Sequence, residues 1–317
     1  MQRRQFLMST GAAIATQLLA GQAMLGGQMT TGVAERTFHV FGVPLRSGSL
    51  LPGNENDAQA YRDVHLPARL QAAGCKVVDD GDVAIPSYLP HHSIPPIRSW
   101  PGPRIVWDCV SEHITPVLQR SGQVPLLIGC DCSVVVGTTQ ALLHTSSQEI
   151  HILYIDGDFD DSPPDGRRSQ SAASCAVWLL TNNSPFWAGP ALRPSQVSVI
   201  GWTNASRSGQ AVNSISLADI RRARPREVAQ QVLQSIPASA SLFIQIDIDV
   251  LQSREMPAAY FPHTEGMTLS ELGELLGVLL KDPRIRIIEI SEYAALRDFE
   301  QVSAGNLVDM LCEALKR

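Results

Sequence analysis

Short apolar runs alternate with helix-like segments along most of this chain, and this alternation limits the available folds more than any other feature. The main runs extend from Val124 to Ile128, Ile150 to Ile155, Ser241 to Ile246 and Ile285 to Glu289. Nearly continuous apolar strands are typical of parallel sheets that are covered on both faces by the helices of right-handed crossovers. The sequence therefore predicts an α/β fold with a central, mainly parallel sheet.

The remaining segments fit the same pattern. Further strands are predicted from Thr37 to Val43, at Val77 and Val78, and from Gln196 to Gly201. Helices are predicted from Ala58 to Ala73, Asp108 to Arg120, Val134 to His144, Ala172 to Leu180, Pro225 to Ser235, Leu269 to Leu280 and Ser303 to Lys316. A proline-rich segment from Ile85 to Pro103 predicts an ordered loop or lid. Because no internal repeat or linker is visible, one catalytic domain is predicted over residues 38–317.

Residues 1–30 have the composition of a leader. Arg3 and Arg4 precede a mostly apolar stretch to about Gly27, and no acidic residue occurs before Glu35. This order predicts an export signal of the twin-arginine type, cleaved after Ala23, which would deliver the protein to the periplasm. The stretch is a poor spanning helix, so membrane contact is expected only through the leader. A leader that does not function would leave the protein in the cytoplasm.

Charge and cysteine usage narrow the function further. The formal net charge of −6 gives no basic surface, so no nucleic-acid partner is expected. The six cysteines are scattered, which argues against a disulfide framework. Cys130 lies among apolar residues and fits a buried thiol, whereas Cys132, beside Asp131, is the better candidate for a thiolate metal ligand. A redox pair is the weaker alternative, because the spacing is not Cys-x-x-Cys.

Carboxylates at alternate positions follow two of the predicted strands. Asp156, Asp158 and Asp160 come directly after one strand, and Asp247 and Asp249 end another. Alternate residues of an extended segment point to one face, and the carboxyl ends of parallel strands gather ligands at one edge of a sheet. Such a cluster repels itself unless a cation is bound, so a metal site is predicted. The alternative is that these residues cap helices or bind backbone amides.

Five segments, in order, resemble the arginase family, also called ureohydrolases. Leu127 to Ser133 is similar to the family's Gly-Gly-Asp-His-Ser, and Tyr154 to Pro164 to its Asp-Ala-His-x-Asp-x-Asn-x-Pro. Gln245 to Leu251 resembles Phe-Asp-x-Asp, Glu265 to Thr268 resembles Gly-Gly-Leu-Thr, and Ile288 to Ile290 resembles the stretch with the substrate-side glutamate. The order and spacing match over roughly residues 38–316, which covers nearly all of the chain after the leader.

The resemblance implies a three-layer α/β/α domain with two divalent metal ions, manganese first and iron, zinc or cobalt as alternatives. The implied metal ligands are Cys132, Asp156, Asp158, Asp160, Asp247 and Asp249, with Asp156 and Asp247 bridging both ions. Two close ions lower the pKa of a shared water, and the resulting hydroxide would attack a guanidinium or amidine carbon. Asp160 would orient this hydroxide and Glu289 would hold the substrate's cationic group. A trimer or hexamer is a further expectation from the family.

Two ligand positions depart from the family pattern. The family has histidines where this chain has Cys132 and Asp158, so the implied ligand set leaves a surplus of about two negative charges beside the two ions. This surplus favours a softer or more highly charged ion. A cysteine at the first of these positions also appears in the branch that hydrolyses N-omega-hydroxy-L-arginine, so Cys132 is compatible with metal binding.

The substrate side departs further. The loop from Asp165 to Cys175 lacks the family's histidine, and Gly201 to Ser206 lacks the acid that binds the α-amino group of arginine. Arg167 and Arg168 could bind an anionic group or form a solvated pair, and His91 and His92 could lie over the site.

The leading hypothesis is a metal-dependent hydrolase that cleaves a linear C–N bond of a guanidino or amidino compound. One alternative is a non-catalytic protein of the same fold that binds a small molecule or a partner. A third is a thiol enzyme that uses Cys132.

Overall fold

The computed structural model describes residues 36–316, except 52, 54, 188, 205–207 and 210. The predicted leader and its cleavage after Ala23 lie outside the described residues, which belong to one compact unit. The strands are β1 (Thr37–Gly42), β2 (Lys76–Asp82), β3 (Gln123–Ile128), β4 (Ile150–Ile155), β5 (Val197–Ile200), β6 (Asn213–Ile215), β7 (Ser241–Asp247) and β8 (Ile285–Ser291).

These strands form one eight-stranded sheet in the order β2-β1-β3-β8-β7-β4-β5-β6. All seven neighbouring pairs are parallel. All residues of β4 and β7 are buried, which explains why most of their residues are apolar. The predicted parallel sheet is therefore confirmed.

Helices cover both faces of the sheet. Within the described residues they are α1 (Asp57–Asp63), α2 (Leu66–Ala72), α3 (Gly102–Leu118), α4 (Val134–Thr145), α5 (Ala176–Thr181), α6 (Leu217–Ala223), α7 (Pro225–Ser235), α8 (Leu269–Leu279) and α9 (Val302–Leu315). Leu153 and Ile155 of β4 lie in the same apolar core as α1, α2 and α6 to α9, whereas Ile152 and Tyr154 lie in the core with α3 to α5. Alternate residues of one strand thus pack into two different apolar cores, one on each face of the sheet. The three-layer α/β/α fold is therefore confirmed.

Three elements differ from the sequence prediction. The helix predicted from Ala58 to Ala73 is broken at His65, whose φ of 62° is left-handed, because Pro67 opens α2 without a backbone N–H. Strand β6 and helix α6 were not predicted. Strand β6 is short and largely exposed, so its sequence contains no apolar run. Helix α6 begins after Ser216, whose side chain caps the helix.

The proline-rich segment has no regular structure until α3 begins at Gly102, six residues before the predicted start. Its end is fixed against the loop after β4, because Arg98 N donates to Gln170 O (2.8 Å) and Gln170 N donates to Pro96 O (2.9 Å). The segment is thus an ordered loop. None of the described helices has both the length and the apolarity needed to cross a membrane.

Candidate metal centre

The centre is built at the carboxyl ends of the four adjacent strands β3, β8, β7 and β4. Chain topology reverses there, since β3 and β4 follow each other in sequence but have β8 and β7 between them. Crevices of this kind are the usual ligand sites of open α/β sheets. Within the described residues, side chains from the four strand ends form groups whose ligand atoms lie within 4.8 Å of one another. All six predicted metal ligands belong to these groups.

Asp156 and Asp247 form the buried core of the centre. They end the neighbouring strands β4 and β7, and their exposed fractions are 0 % and 1 %. One oxygen of each accepts a backbone N–H two residues on, from Asp158 (2.6 Å) and Asp249 (2.9 Å). The predicted backbone-amide alternative thus accounts for one oxygen of each residue. Asp156 Oδ2 has no hydrogen-bond partner, and burial together with the neighbouring carboxylates holds the pKa of both groups well above the usual range.

Cys132 and Asp160 lie beside Asp156. The Cys132 thiol donates to Asp160 Oδ2 (3.0 Å), and the Tyr154 hydroxyl donates to the same oxygen (2.8 Å). Burial raises the pKa of Asp160 to about 7 and, with the nearby carboxylates, raises that of Cys132 well above its ordinary value. Cys132 is therefore a thiol in the metal-free protein. Cys130 is also a buried free thiol, as predicted.

Glu292 is a member of the centre that the sequence prediction missed. It follows β8 with a left-handed φ of 64°, and its Oε1 accepts the backbone N–H of Cys132 (3.4 Å). Cys132, Asp247 and Glu292 form one of the compact groups, and Glu292 Oε2 is buried without a hydrogen-bond partner. Burial and neighbouring acids raise its pKa well above the usual range. The available signal was its position at the carboxyl end of β8, one residue beyond the strand.

Glu289 lies elsewhere. It is inside β8 and fully buried, and it accepts a hydrogen bond from Thr138 of α4 (2.5 Å). Burial raises its pKa to about 8. Glu289 is absent from the described lining of the cavity over the centre, whereas Glu292 is part of it. The predicted substrate-holding role of Glu289 stays a prediction, and its Oε1 is buried without a hydrogen-bond partner.

The outer side of the centre contains Asp158, Asp249 and His263. His263 Nε2 lies 3.4 Å from Asp158 Oδ2 and 3.6 Å from Asp249 Oδ2. Asn204 Nδ2 donates to Asp158 Oδ1 (2.6 Å) and Gly157 N donates to Asp249 Oδ1 (3.1 Å). The two carboxylates, with Asp158 first, raise the pKa of His263 to about 10. His263 was not predicted as a site residue.

A cavity of 370 Å³ opens over these groups. Its floor contains Cys132, Asp158, Asp160, Asp247, Asp249 and Glu292. Its walls contain Leu50, Ser162, Arg168, Ser169, Gln170, Ser171, Ala173, Ser174 and Phe261. His91 instead lines another cavity, beside Arg46, and His92 Nε2 bonds Trp100 O (2.8 Å). Neither histidine belongs to the described lining of the cavity over the centre.

The donor set fits divalent metal ions. In the described part of the chain, no lysine or arginine forms an ion pair with Asp156, Asp160 or Asp247. Buried carboxylates without a cation are costly, and hard oxygen donors at this density are what divalent ions bind. The orphaned oxygens of Asp156 and Glu292 are directly available for such ions.

Comparison with known proteins gives one family. The sequence model of the Arginase family matches residues 36–316, so the chain belongs to the arginase family. It is 24% identical to the hepatic arginase of Aquarana catesbeiana over 260 residues, covering 75% of this chain and 78% of the relative. It is 26% identical to the N(omega)-hydroxy-L-arginine amidinohydrolase of Streptomyces lavendulae over 200 residues, covering 62% and 70%.

The fold has a counterpart among solved structures. The native arginase of Bacillus caldovelox superposes with a TM-score of 0.78 at 18% identity, covering 89% of this chain and 99% of that chain. At this identity the likeness shows the fold alone. The family match and the fold together identify the chain as a divergent ureohydrolase.

Proposed function

We propose that this protein is a hydrolase that adds water to the central carbon of a guanidino or amidino compound and cleaves a linear C–N bond. One observation carries the proposal. Carboxylates at the strand ends of an arginase-family chain line a cavity, and buried oxygens of Glu292, in that lining, and of Asp156, in the same cluster, have no hydrogen-bond partner. Burying a carboxylate without a partner is costly and adds nothing to core packing. Carboxylates that are buried in this way are typical of a functional site.

The cofactor we propose is a pair of divalent ions, manganese first. Cys132, Asp156, Asp160 and Asp247 would hold one ion, and Asp156, Asp158, Asp247 and Asp249 the other. When bound, such a pair lowers the pKa of a shared water and so supplies a nucleophile near neutral pH. Iron, zinc and cobalt stay as alternatives, because the Cys132 sulfur is a softer donor than the carboxylates.

The chain's own residues position and protonate the reactants. Asp160 would accept a proton from the attacking water as the oxygen bonds to the substrate carbon. The same carboxyl would return that proton to the leaving nitrogen as the C–N bond breaks. The Tyr154 hydroxyl fixes the orientation of Asp160. Glu292, rather than Glu289, would pair with the cationic group, because its free Oε2 belongs to a residue that lines the cavity.

The cavity walls suggest the rest of the substrate. Arg168 and the hydroxyl-bearing Ser169, Ser171 and Ser174 are among the residues that line the cavity. Arg168 is exposed, and its Nε donates to Gln170 (2.9 Å), which leaves the terminal nitrogens of the guanidinium for other acceptors. A guanidino or amidino compound with a polar or anionic far end fits this wall better than one with a second cation.

The test is hydrolysis by the folded, manganese-loaded protein. A panel of arginine, N-omega-hydroxy-arginine, agmatine, guanidino acids and formimino compounds would be assayed for release of the amine product. Asp160→Asn should reduce turnover by about a hundredfold or more, since a positioned proton-transfer group contributes 10²–10⁴-fold. Asp309→Asn, on an exposed helix face away from the cavity, is the control and should retain full activity.

The competing functions have different outcomes. A binding protein would bind one of these compounds without releasing amine, and its affinity would not depend on Asp160. A thiol enzyme is disfavoured, because burial and carboxylates keep Cys132 protonated in the metal-free protein. If the metal-loaded protein hydrolyses no panel compound faster than Asp160→Asn does, the hydrolase proposal is wrong.

We further propose that residues 1–30 direct export to the periplasm, as their composition predicts. Replacing Arg3 and Arg4 by lysine should then retain the full chain in the cytoplasm. Fractionation of cells that express either form is the measurement. The expected trimer or hexamer is a separate proposal that sedimentation analysis of the purified protein would test.

A further inference from the structure

His263 reaches the outer side of the centre from a different part of the chain than the predicted ligands. It lies between β7 and α8, and backbone bonding fixes its loop, since Ser253 N donates to His263 O (2.7 Å). Its side chain is 17% exposed, and Nε2 is buried between one oxygen of Asp158 and one of Asp249. The ring is therefore held at the centre by the fold of its own loop.

The distances suit a shared ion better than hydrogen bonds. Nε2 is 3.4 Å from Asp158 Oδ2 and 3.6 Å from Asp249 Oδ2, which is longer than well-formed N–H···O bonds. Ligand atoms about 2.1 Å from a four-coordinate ion lie roughly 3.4 Å from one another. The three side chains form one of the compact groups, and Asp249 also groups with Asp156, whose buried Oδ2 has no partner.

Gly157 makes room for this arrangement. A Cβ at this position would lie 2.7 Å from His263 Cδ2 and 2.8 Å from Asp249 O, closer than real Cβ contacts allow. The family segment has alanine here and histidine at the next position, whereas this chain has Gly157 and Asp158. Two neighbouring departures therefore coincide with an imidazole that fills the space they leave.

We propose that His263 is a metal ligand, and that Asp158, Asp249 and His263 together bind a divalent transition-metal ion. The imidazole that the family supplies at the position of Asp158 is supplied here from another loop. One nitrogen donor is thereby retained in a set that is otherwise oxygen-rich, apart from Cys132. This inference rests on the metal centre of the proposed function and concerns the donor set of its outer ion.

The test measures metal binding directly. The full chain would be stripped with chelator and titrated with manganese, counting bound ions and recording nitrogen hyperfine coupling by pulsed electron paramagnetic resonance. Labelling histidine with nitrogen-15 should change the coupling in the unaltered protein. His263→Ala should remove the coupling and weaken the outer ion by about tenfold or more, since even residues that only orient ligands change affinity by 10–100-fold. His91→Ala, in the other cavity, is the matched control and should change neither.

Two further variants separate ligation from structural effects. Gly157→Ala should weaken the outer ion while keeping the imidazole, because the added methyl group displaces the ring. Asp158→His in the His263→Ala background should restore the nitrogen coupling and at least part of the affinity. His263→Gln, of similar size, covers the case in which His263→Ala does not fold, and should show the same loss of coupling.

The contrary results are distinct. Two ions bound with unchanged affinity and coupling in a folded His263→Ala protein would overturn the inference, as would a loss of thermal stability without loss of metal. Wild-type protein that binds no ion would also overturn it. Hydrolysis by a His263→Ala protein whose ion affinity and nitrogen coupling are unchanged would remove the inference and leave the hydrolase proposal intact. Nitrogen coupling through His263 in a protein that hydrolyses no compound would support the inference and contradict the hydrolase proposal.

Discussion

Two buried acidic regions of this protein differ in the groups that compensate their negative charge. Asp57, at the start of α1, is 1% exposed and has a full set of protein partners. Arg46 Nε lies 3.4 Å from Asp57 Oδ2, Ala295 N donates to Oδ1 (2.9 Å), and the Tyr260 hydroxyl donates to Oδ2 (3.2 Å). The Arg46 guanidinium also stacks on the Tyr260 ring, 3.4 Å from its centroid.

Asp156 and Asp247 are equally buried, but among the residues that the structure describes neither forms an ion pair with an arginine or lysine. Backbone amides satisfy one oxygen of each residue, and carboxylates surround the others. The contrast teaches that burial alone does not mark a functional acid. Asp57 is part of the folded framework, whereas no lysine or arginine in the described part of the chain pairs with Asp156 or Asp247.

Removing the cation from the first region should have the largest effect. Arg46→Met leaves Asp57 buried and unpaired, which should lower the free energy of unfolding by about 3–5 kcal/mol. Urea unfolding with chelator and with manganese should give the same loss, because this region does not bind the ion. A loss that manganese reverses would break the distinction between the two regions.

Supplying a cation to the second region should have the next largest effect. Manganese at a hundred times its dissociation constant should raise the free energy of unfolding by about 2.7 kcal/mol. Asp247→Asn should abolish this gain, because the variant loses one of the carboxylates that would hold the ions. Differential scanning calorimetry with and without metal measures both. An equal gain in wild type and variant would show that manganese binds elsewhere.

Without metal, Asp247→Asn should raise the free energy of unfolding instead of lowering it. Asp247→Asn removes an acid whose charge is disfavoured by burial and by the neighbouring Asp249, Glu292 and Asp160. The metal-free variant should therefore be more stable than metal-free wild type, by on the order of 1 kcal/mol at neutral pH. Urea unfolding in chelator measures the difference. A less stable variant would mean that the cluster contributes to folding as Asp57 does.

A third acid, Asp282, should show the smallest effect and tests the pH behaviour of a paired carboxylate. Arg284 donates to it from its backbone and guanidinium groups, and these bonds hold its pKa below the ordinary value despite partial burial. A depressed folded-state pKa contributes stability that is present above the unfolded pKa of about 3.9 and is lost as pH falls through the folded value.

Asp282→Asn should therefore cost less than about 1 kcal/mol at pH 7, because the pair is partly solvated. The difference from wild type should shrink as the pH approaches 3. Unfolding curves at both values, with chelator present, give the comparison. A difference that grows on acidification would contradict the assigned sign.

Much of the fold was predictable because its strands are buried on both faces. The strands around Leu126, Ile152 and Ile244 are mostly apolar, and such strands are typical of a parallel sheet that is buried between two helical layers. β6 and α6 escaped prediction because an exposed edge strand carries no apolar signal. The break at His65 depends on a single proline within an otherwise helical pattern.

The centre was predictable where its residues follow directly from strand ends. Asp156 and Asp247 must meet, because β4 and β7 are parallel neighbours that end at the same edge of the sheet. Glu289 lies inside β8 and is not in the described lining of the cavity, so its substrate-holding role stays a prediction. The sequence predicted that Asp158 lies at the centre, but it did not predict that His263 lies beside it.

The sequence by itself determined the sheet, the layers and the acidic floor of the centre, since these depend on local periodicity and on where strands end. Only the tertiary structure decided which further side chains lie beside these acids. His263 is more than a hundred residues from Asp158 along the chain, and its approach depends on the space over Gly157. Glu292 enters through a left-handed turn after β8. Loop paths of this kind are set by packing between distant segments, which carries no periodic signal in the sequence.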